Sequence, residues 1–294
     1  MRVFITGATG FIGSALVPEL LGAGHEVLGM ARSDAGASEL KAAGAEVHRG
    51  SLEDLESLRS GAAAADAVIH LGFVHDFSRF KEVCEIDRRA IEALGEALAG
   101  SDRTLIVTSG FALLTKGRTS TEDDAPPPVS DAYPRASEQA LALFEQRGVR
   151  AMTVRLSQVH DTRKQGLVSY AIQAAIAKGV VAYVGEGRNR WAAAHRLDAA
   201  RLYRLALEKG RNGARYHAVA EEGVSARDIA ETIGRRLNLP VTSISPEQAP
   251  GHFGPLAGFA SLDITGSSAK TREELGWKPT GPGLLADLEN LELA

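Results

Sequence analysis

Short apolar runs alternate with longer amphipathic segments along the first half of the chain. The apolar runs predict β-strands at residues 3–6, 26–30, 45–48, 67–71, 104–107 and 150–156. The spacing of apolar residues between them predicts a helix that ends near residue 43 and further helices at 11–22, 55–62, 80–98 and 134–147. Strands that alternate with helices in this way favour a doubly wound α/β fold, a parallel sheet covered by helices on both faces.

The alternation breaks down after residue 156. Apolar spacing there predicts helices at 166–178, 198–209 and 225–237, the last capped by Ser225. Short strands are predicted at 180–184 and 214–219. Residues 238–262 are rich in proline and glycine, and we expect them to be irregular.

This change of pattern suggests a division of the chain. We predict a main domain over 1–160, to which residues 195–220 return, and a smaller C-terminal lobe formed by 161–194 and 221–294. An acidic, proline-rich loop at 119–131 follows the fifth strand. It is either part of a lid over a ligand or a stiff surface connection.

The composition is that of an ordinary globular protein and argues against several classes of partner. Of the 294 residues, 44% are hydrophobic and 24% are charged, which leaves enough apolar material for a core. The net charge of −4, the lack of a long basic run and an aromatic content of 5% argue against a nucleic-acid or membrane partner. The chain has one cysteine, Cys84, and no Cys/His spacing typical of zinc, so we expect neither a disulfide nor a metal site.

The sequence also lacks the signals of export or membrane insertion. Its first residues run directly into a predicted strand, and no apolar stretch approaches the roughly 20 residues that span a bilayer. Because a single cysteine also suits a reducing compartment, we expect a cytoplasmic protein.

The strongest chemical signal is Thr6-Gly-Ala-Thr-Gly-Phe-Ile-Gly13, which follows the first predicted strand and opens the first helix. Its glycines permit a tight turn at Gly7, approach of a pyrophosphate to the backbone at Gly10, and close packing of helix on sheet at Gly13. The free N–H groups at the start of the helix favour phosphate as well. The segment therefore predicts a Rossmann domain that binds a pyridine dinucleotide. The residues expected to contact the cofactor are Gly7, Thr9, Gly10, Phe11, Ile12 and Gly13.

The end of the second strand discriminates between NAD and NADP. An acidic residue there would bind the ribose 2′-hydroxyl, but the chain has Arg32 followed by Ser33. A guanidinium and a hydroxyl suit a 2′-phosphate, so we predict that Arg32 and Ser33 select NADP. Asp34 comes next and could hold a ribose hydroxyl, which keeps NAD as the alternative.

Several segments resemble the extended and atypical short-chain dehydrogenase/reductase family, also described as NAD-dependent epimerase/dehydratases. They are the glycine segment, Val68-Ile-His-Leu-Gly72, the strand-six segment 155–160 and His195-Arg-Leu-Asp-Ala-Ala200. The resemblance implies a small-molecule substrate in a smaller C-terminal lobe, and a homodimer through helices of the main domain. It also implies further cofactor contacts, at Leu52, Leu71, Gly72, Phe73, Thr108, Leu156 and Val159.

The segment that resembles the family's catalytic residues departs from their pattern. The family has a Ser or Thr after strand five and a Tyr-x-x-x-Lys pair. Here Ser109 is present, but Gly110 takes the position usual for the catalytic serine, and Ser137 stands four residues after Tyr133. If Ser137 and Glu138 are matched instead to the family's Ser-Lys pair, Tyr133 falls one residue out of register.

The missing lysine matters because that lysine lowers the tyrosine pKa and holds the nicotinamide ribose in the family. A tyrosine with an ordinary pKa near 10 is a poor base at neutral pH without a nearby cation. Arg135 is the candidate for that cation, although it could also be solvated on a helix. Glu138 would shift the tyrosine pKa the wrong way, or it is simply an acid in a first helical turn. We take Tyr133, Ser109 and Arg135 as candidate catalytic residues.

Other polar side chains follow predicted strands near the same edge of the sheet. His75 lies just beyond the fourth strand and titrates in a range useful for proton transfer, so it is a further candidate catalytic residue. Asp76, His160, Trp191 and His252 are candidate substrate-binding residues. The structural alternatives are a polar loop for the first two, a loop anchor for Trp191 and a glycine-flanked turn for His252.

Three hypotheses on function remain. The first is NADP-linked oxidation or reduction of the carbonyl/alcohol pair of a small molecule. The second is an epimerase or dehydratase that retains its nicotinamide. The third is a nucleotide-binding sensor without turnover, which the missing Tyr-x-x-x-Lys favours. We expect the first.

Overall fold

The computed structural model describes residues 1–111, 114–115, 117–131 and 133–292, apart from the side chains of Phe77 and Pro255. Its strands are β1 Arg2–Thr6, β2 Glu26–Ala31, β3 Glu46–Arg49, β4 Ala67–His70, β5 Thr104–Gly110, β6 Arg150–Leu156, β7 Gln158–His160, β8 Val181–Val184, β9 Arg190–His195, β10 Arg215–Ala218, β11 Glu221–Ser225 and β12 Val241–Ile244. Its α-helices are α1 Gly13–Gly22, α2 Asp34–Ala42, α3 Leu55–Ala63, α4 Phe80–Leu98, α5 Ser137–Ala142, α6 Val168–Lys178, α7 Arg196–Lys209, α8 Ala226–Leu237, α9 Ala249–Phe253, α10 Ala257–Ala260, α11 Ala269–Leu275 and α12 Leu284–Glu289. No helix within these ranges is both long and apolar enough to cross a bilayer.

Seven parallel strands form the main sheet, in the order β10-β6-β5-β4-β1-β2-β3. The predicted doubly wound α/β fold is therefore confirmed. The strand order reverses between β1 and β4, where Thr6 lies in register with His70. Because open α/β sheets bind ligands outside the carboxyl ends of such strands, this crevice is the expected ligand site.

Helices on both faces of the main sheet explain why its strands read as nearly continuous apolar runs. In β1, Val3 and Ile5 belong to the core that includes α1 and α7, whereas Phe4 belongs to the core with α3, α4 and α5. All three side chains are fully buried. Burial of side chains of this size stabilises the fold by about 2 kcal/mol each, so β1 holds its carboxyl end firmly at the crevice.

Two smaller sheets lie apart from the main one. β7, β9 and β11 form a three-stranded sheet, and β8 pairs with β12. A third core forms here from α6, α8, α12 and Trp191 of β9. In contrast, β10 lies at the edge of the main sheet and α7 packs against α1. The division into a main domain and a smaller lobe stays a prediction.

Three predictions of local structure were wrong. The helix expected at 134–147 is the short α5, because after Ala142 the chain continues in tight turns such as the hydrogen bond from Phe144 N to Leu141 O. Residues 238–262 were expected to be irregular but contain β12, α9 and α10. Beyond residue 156, the apolar pattern also missed β7, β9 and β11.

The acidic loop at 119–131 is tied to the C-terminal part of the chain. Ser120 pairs with Gly266 in an isolated bridge. The buried carboxylate of Glu122 accepts hydrogen bonds from Thr271, at 2.8 Å from N and 2.7 Å from Oγ1. These contacts favour a stiff connection over a lid.

Candidate cofactor and active site

The glycine segment forms a cradle at the carboxyl end of β1. Gly7 has a φ of 71°, and a Cβ at this position would lie 2.7 Å from Gly72 N. A Cβ on Gly13 would lie 2.1 Å from Gly7 O, and one on Gly10 would lie 3.0 Å from the same atom. The backbone is therefore as close-packed as a diphosphate cradle requires, with the first turn of α1 directed at it. These residues fit a pyridine dinucleotide.

Arg32 and Ser33 directly follow β2, the strand that pairs with β1. Arg32 is exposed, and Ser33 Oγ caps α2 by accepting a hydrogen bond from Gly36 N at 3.1 Å. Asp34, the residue that kept NAD as an alternative, forms an ion pair with Arg49. Arg49 thus adds a second guanidinium to this surface. The sequence did not single out Arg49, because it lies on another strand, β3.

The other positions implied by the resemblance surround the crevice to different degrees. A Cβ on Gly72 would lie 3.0 Å from Leu52 Cδ2, so Leu52 covers this glycine. Leu71 and Leu156 are partly buried beside the α1 core. Val159 is buried in the same core, and Thr108 Oγ1 donates to His70 O at 2.8 Å and lies 2.7 Å from Tyr203 Oη. The side chains of Val159 and Thr108 therefore make their contacts inside the protein, which favours a structural role for both.

A chain of buried hydrogen bonds runs from the cradle to the candidate catalytic segment. Thr6 Oγ1, which accepts from Gly72 N, lies 2.7 Å from His70 Nδ1. The other ring nitrogen of His70 lies 3.1 Å from Asp87 Oδ1. Asp87 Oδ2 accepts from Ser137 Oγ at 2.6 Å. Burial alone would raise the pKa of Asp87, but the contact with His70 and the charge of Arg135 hold that pKa below its ordinary value, so the group is ionised at neutral pH.

Arg135 lies at the end of this chain. Its Nε donates to Ser137 Oγ at 2.9 Å, and its Nη2 donates to Thr108 O at 3.0 Å. The guanidinium lies 4.8 Å from the ring centroid of Phe73, and its Nη1 would be 3.9 Å from a Cβ on Gly110. In the part of the chain that the structure describes, no carboxylate lies within 4.0 Å of it. Arg135 therefore brings positive charge to the end of β5 at Gly110.

The charge of Arg135 contributes to the pKa of both Tyr133 and His75. Burial raises the pKa of Tyr133 above its ordinary value, and the charge of Arg135 only partly offsets this. His75 keeps solvent exposure, but partial burial of its ring and then the charges of Lys164 and Arg135 lower its pKa. At neutral pH the phenol is therefore protonated and the imidazole is neutral. His75 also packs edge-on against Phe73, with ring centroids 5.5 Å apart.

Glu138, at the position that could match the family lysine, belongs to a buried ion-pair network. Arg155 is fully buried and donates to both of its carboxylate oxygens at 2.8 Å, and Arg215 donates to it at 3.1 Å. A buried pair of this kind is costly to break because it leaves an unpaired charge. The arrangement favours a structural role for Glu138.

The remaining candidates have other surroundings. Ser109 is buried on β5, between Thr108 and Gly110. Asp76 Oδ1 accepts from Ser78 at 3.1 Å from N and 2.6 Å from Oγ, as a cap of the following turn. Trp191 is buried and donates to Leu262 O at 3.0 Å. His252 lies on α9, which packs against α6.

His160 is also removed from the surface. It is fully buried, and its Nδ1 lies 2.6 Å from Asp287 Oδ2. The ring of His195 lies 5.8 Å away. These contacts favour a role for His160 in joining β7 and β9 to α12 over one in binding substrate.

Comparison with known proteins agrees with the fold. The model of the NAD dependent epimerase/dehydratase family matches residues 3–220. An uncharacterized protein of Schizosaccharomyces pombe is 50% identical over 292 residues, which cover 98% of each chain. A 4-hydroxy-2-methyl-3-oxo-4-farnesyl-3,4-dihydroquinoline-1-oxide ketoreductase of Stigmatella aurantiaca is 25% identical over 94% of this chain and 92% of its own. The UDP-glucose 4-epimerase of Thermus thermophilus, solved with NAD, shares the fold with a TM-score of 0.76 at 21% identity, over 98% of this chain and 97% of its own.

Proposed function

The chain belongs to the NAD dependent epimerase/dehydratase family, and from this we propose that it is an NADPH-linked reductase of a small carbonyl compound. The observation that carries the proposal is the Arg135 guanidinium, placed beside Gly110 at the mouth of the cofactor crevice. The ketoreductase relative supports reduction, since its name describes that chemistry. When bound, the nicotinamide of the cofactor supplies the hydride.

The protein supplies the proton and stabilises charge. As the carbonyl carbon accepts the hydride, negative charge develops on its oxygen, and Arg135 offers a fixed positive charge to that atom. Tyr133 is protonated at neutral pH and donates its proton to the same oxygen, which gives the alcohol. The resulting phenolate is stabilised by Arg135 until solvent returns the proton. His75 is neutral and orients the substrate by hydrogen bonding.

The direct test is to incubate the purified protein with NADPH and a panel of small aldehydes and ketones. We expect NADPH to be consumed in equal amount to the alcohol formed. Isomerised or dehydrated product without net consumption of NADPH would instead indicate an epimerase or dehydratase. Tight NADPH binding without turnover across the panel would indicate a sensor.

The dependence of reduction on pH identifies the proton donor. Because the pKa of Tyr133 is raised, it stays protonated at neutral pH, and kcat/KM should be flat between about pH 7 and 9 and fall only above about pH 10. The Tyr133→Phe variant should lose the alkaline decline together with most of its activity. A decline between about pH 6 and 8 would contradict this assignment, because it would point to a donor that titrates like histidine.

The preference for NADPH depends on Arg32. We expect Arg32→Ala to weaken NADPH binding about 10-fold or more, since a charge-assisted hydrogen bond to the 2′-phosphate is lost, and to leave NADH binding unchanged. Isothermal titration with both nucleotides measures this difference. Lys41→Ala is the matched control, because Lys41 is an exposed cation on the neighbouring helix α2. Equal loss of affinity for both nucleotides would remove Arg32 from the 2′-phosphate site.

A further inference from the structure

Two cations from beyond β6 lie against the ring of Phe11. Phe11 directly follows Gly10 in the cradle, and its side chain is only partly buried. Arg196, at the start of α7, has its guanidinium carbon 5.3 Å from the ring centroid, and Lys164 Nζ lies 5.7 Å from it. Both distances are within the range of a cation–π contact. Phe11 thus holds two positive charges beside the start of α1.

A single carboxylate positions both cations. Asp161 Oδ1 accepts hydrogen bonds from Arg163 N at 2.8 Å and Lys164 N at 2.9 Å, which fixes the turn that carries Lys164. Asp161 Oδ2 lies 3.1 Å from Arg196 Nη1. The turn is tied in addition to the C-terminal segment, because Glu292 N donates to Thr162 O at 2.8 Å. The placement of these cations is therefore built into the fold.

The ammonium group of Lys164 lies beside Phe11 and has no carboxylate partner within 4.0 Å in the described part of the chain, whereas Arg196 is paired with Asp161. Lys164 also contributes to the lowered pKa of His75, so its charge acts across the mouth of the site. An anion bound between Phe11 and His75 would balance the positive charge of Lys164.

We propose that Lys164, supported by Arg196, binds the diphosphate of the cofactor from the side opposite the glycine cradle. The inference rests on the dinucleotide site of the proposed function. The amides at the start of α1 supply only a partial positive charge, whereas a diphosphate carries two negative charges. Lys164 supplies a full charge, and the turn at 161–165 carries it. Binding of the cofactor in this way joins the turn to the main sheet.

Affinity measurements without substrate test this role. We expect Lys164→Ala to bind NADPH and NADH about 10-fold more weakly, equally for both, because the diphosphate is common to them. Adenosine 2′-monophosphate lacks the diphosphate, and its affinity should not change. The loss should shrink at high salt, since an exposed cation acts through a screened interaction. Arg163→Ala is the matched control, because Arg163 is an exposed cation on the same turn and pairs with Glu292.

The outcomes separate this proposal from the proposed function. Lys164 is exposed, so its replacement leaves folding intact, and a thermal melt verifies this. If the wild-type protein binds both dinucleotides and Lys164→Ala binds them equally well, the role of Lys164 is overturned and the cofactor site stands. Unchanged nucleotide affinity with a raised KM for the carbonyl compound would assign Lys164 to the substrate and likewise overturn the proposal. Failure of the wild-type protein to bind either dinucleotide would overturn both.

Discussion

Gly10→Val is expected to lower the affinity for NADPH about 100-fold, which corresponds to the loss of two charge-assisted hydrogen bonds. A Cβ at this position would already lie 3.0 Å from Gly7 O, and the two methyl groups of valine would extend into the space that the diphosphate needs. Gly10 does not have a positive φ, so the substitution requires no left-handed backbone, and Gly7 O needs to shift by only a few tenths of an ångström. Fluorescence titration with NADPH gives the affinity, and a thermal melt without nucleotide reports on the fold.

Gly22→Ala is the matched control for this experiment. Gly22 is the last residue of the same helix, and a Cβ there would meet no atom within 4 Å. Its affinity should equal that of the wild-type protein, and its melting temperature should be equal or slightly higher, because alanine favours a helix more than glycine does. The affinity of Gly10→Ala for NADPH should lie between those of Gly10→Val and Gly22→Ala, because one methyl group fills less of the cradle. Wild-type affinity in Gly10→Val, with the fold intact, would exclude the cradle as the diphosphate site.

The strands of the main sheet were predictable because each is marked by a local apolar pattern. Strands such as β1 are buried on both faces, so they read as apolar runs between helices. The smaller sheets were not predictable in this way. β9 contains Ala192, Ala193 and Ala194, which favour a helix, and its strand conformation depends on pairing with β7 and β11. Tertiary contacts therefore override local preference in that part of the chain.

The candidate site likewise has one part that the sequence predicts and another part that it does not. The cradle is contiguous in sequence, so its glycines could be identified with their roles. The groups that position Arg135 are distant in sequence, since Asp87 lies on α4 and reaches it through Ser137. Arg49 and Lys164 are likewise brought to the site by the fold alone. No sequence spacing signals such contacts, because no periodic pattern relates residues on separate elements.

Arg135→Ala is expected to lower kcat for carbonyl reduction about 100-fold or more, within the range found for loss of acid–base catalysis. Two effects combine. The developing negative charge on the substrate oxygen loses its cation, and the pKa of Tyr133, which Arg135 holds down against the effect of burial, rises further. Proton donation then leaves an unstabilised phenolate. Single-turnover measurements at saturating NADPH isolate this step from cofactor binding.

Two further variants distinguish the charge of Arg135 from its position. Arg135→Lys retains the charge but cannot reproduce both the hydrogen bond to Ser137 and that to Thr108 O, so we expect only part of the activity to return. Ser137→Ala keeps the guanidinium but removes its link to Asp87, and should lower kcat less than Arg135→Ala does. Arg89→Ala, an exposed cation on α4, is the control and should keep wild-type kcat. If Arg135→Ala kept wild-type kcat as well, the protonated phenol would have to act without a neighbouring cation, and the family's lysine would have no substitute in this chain.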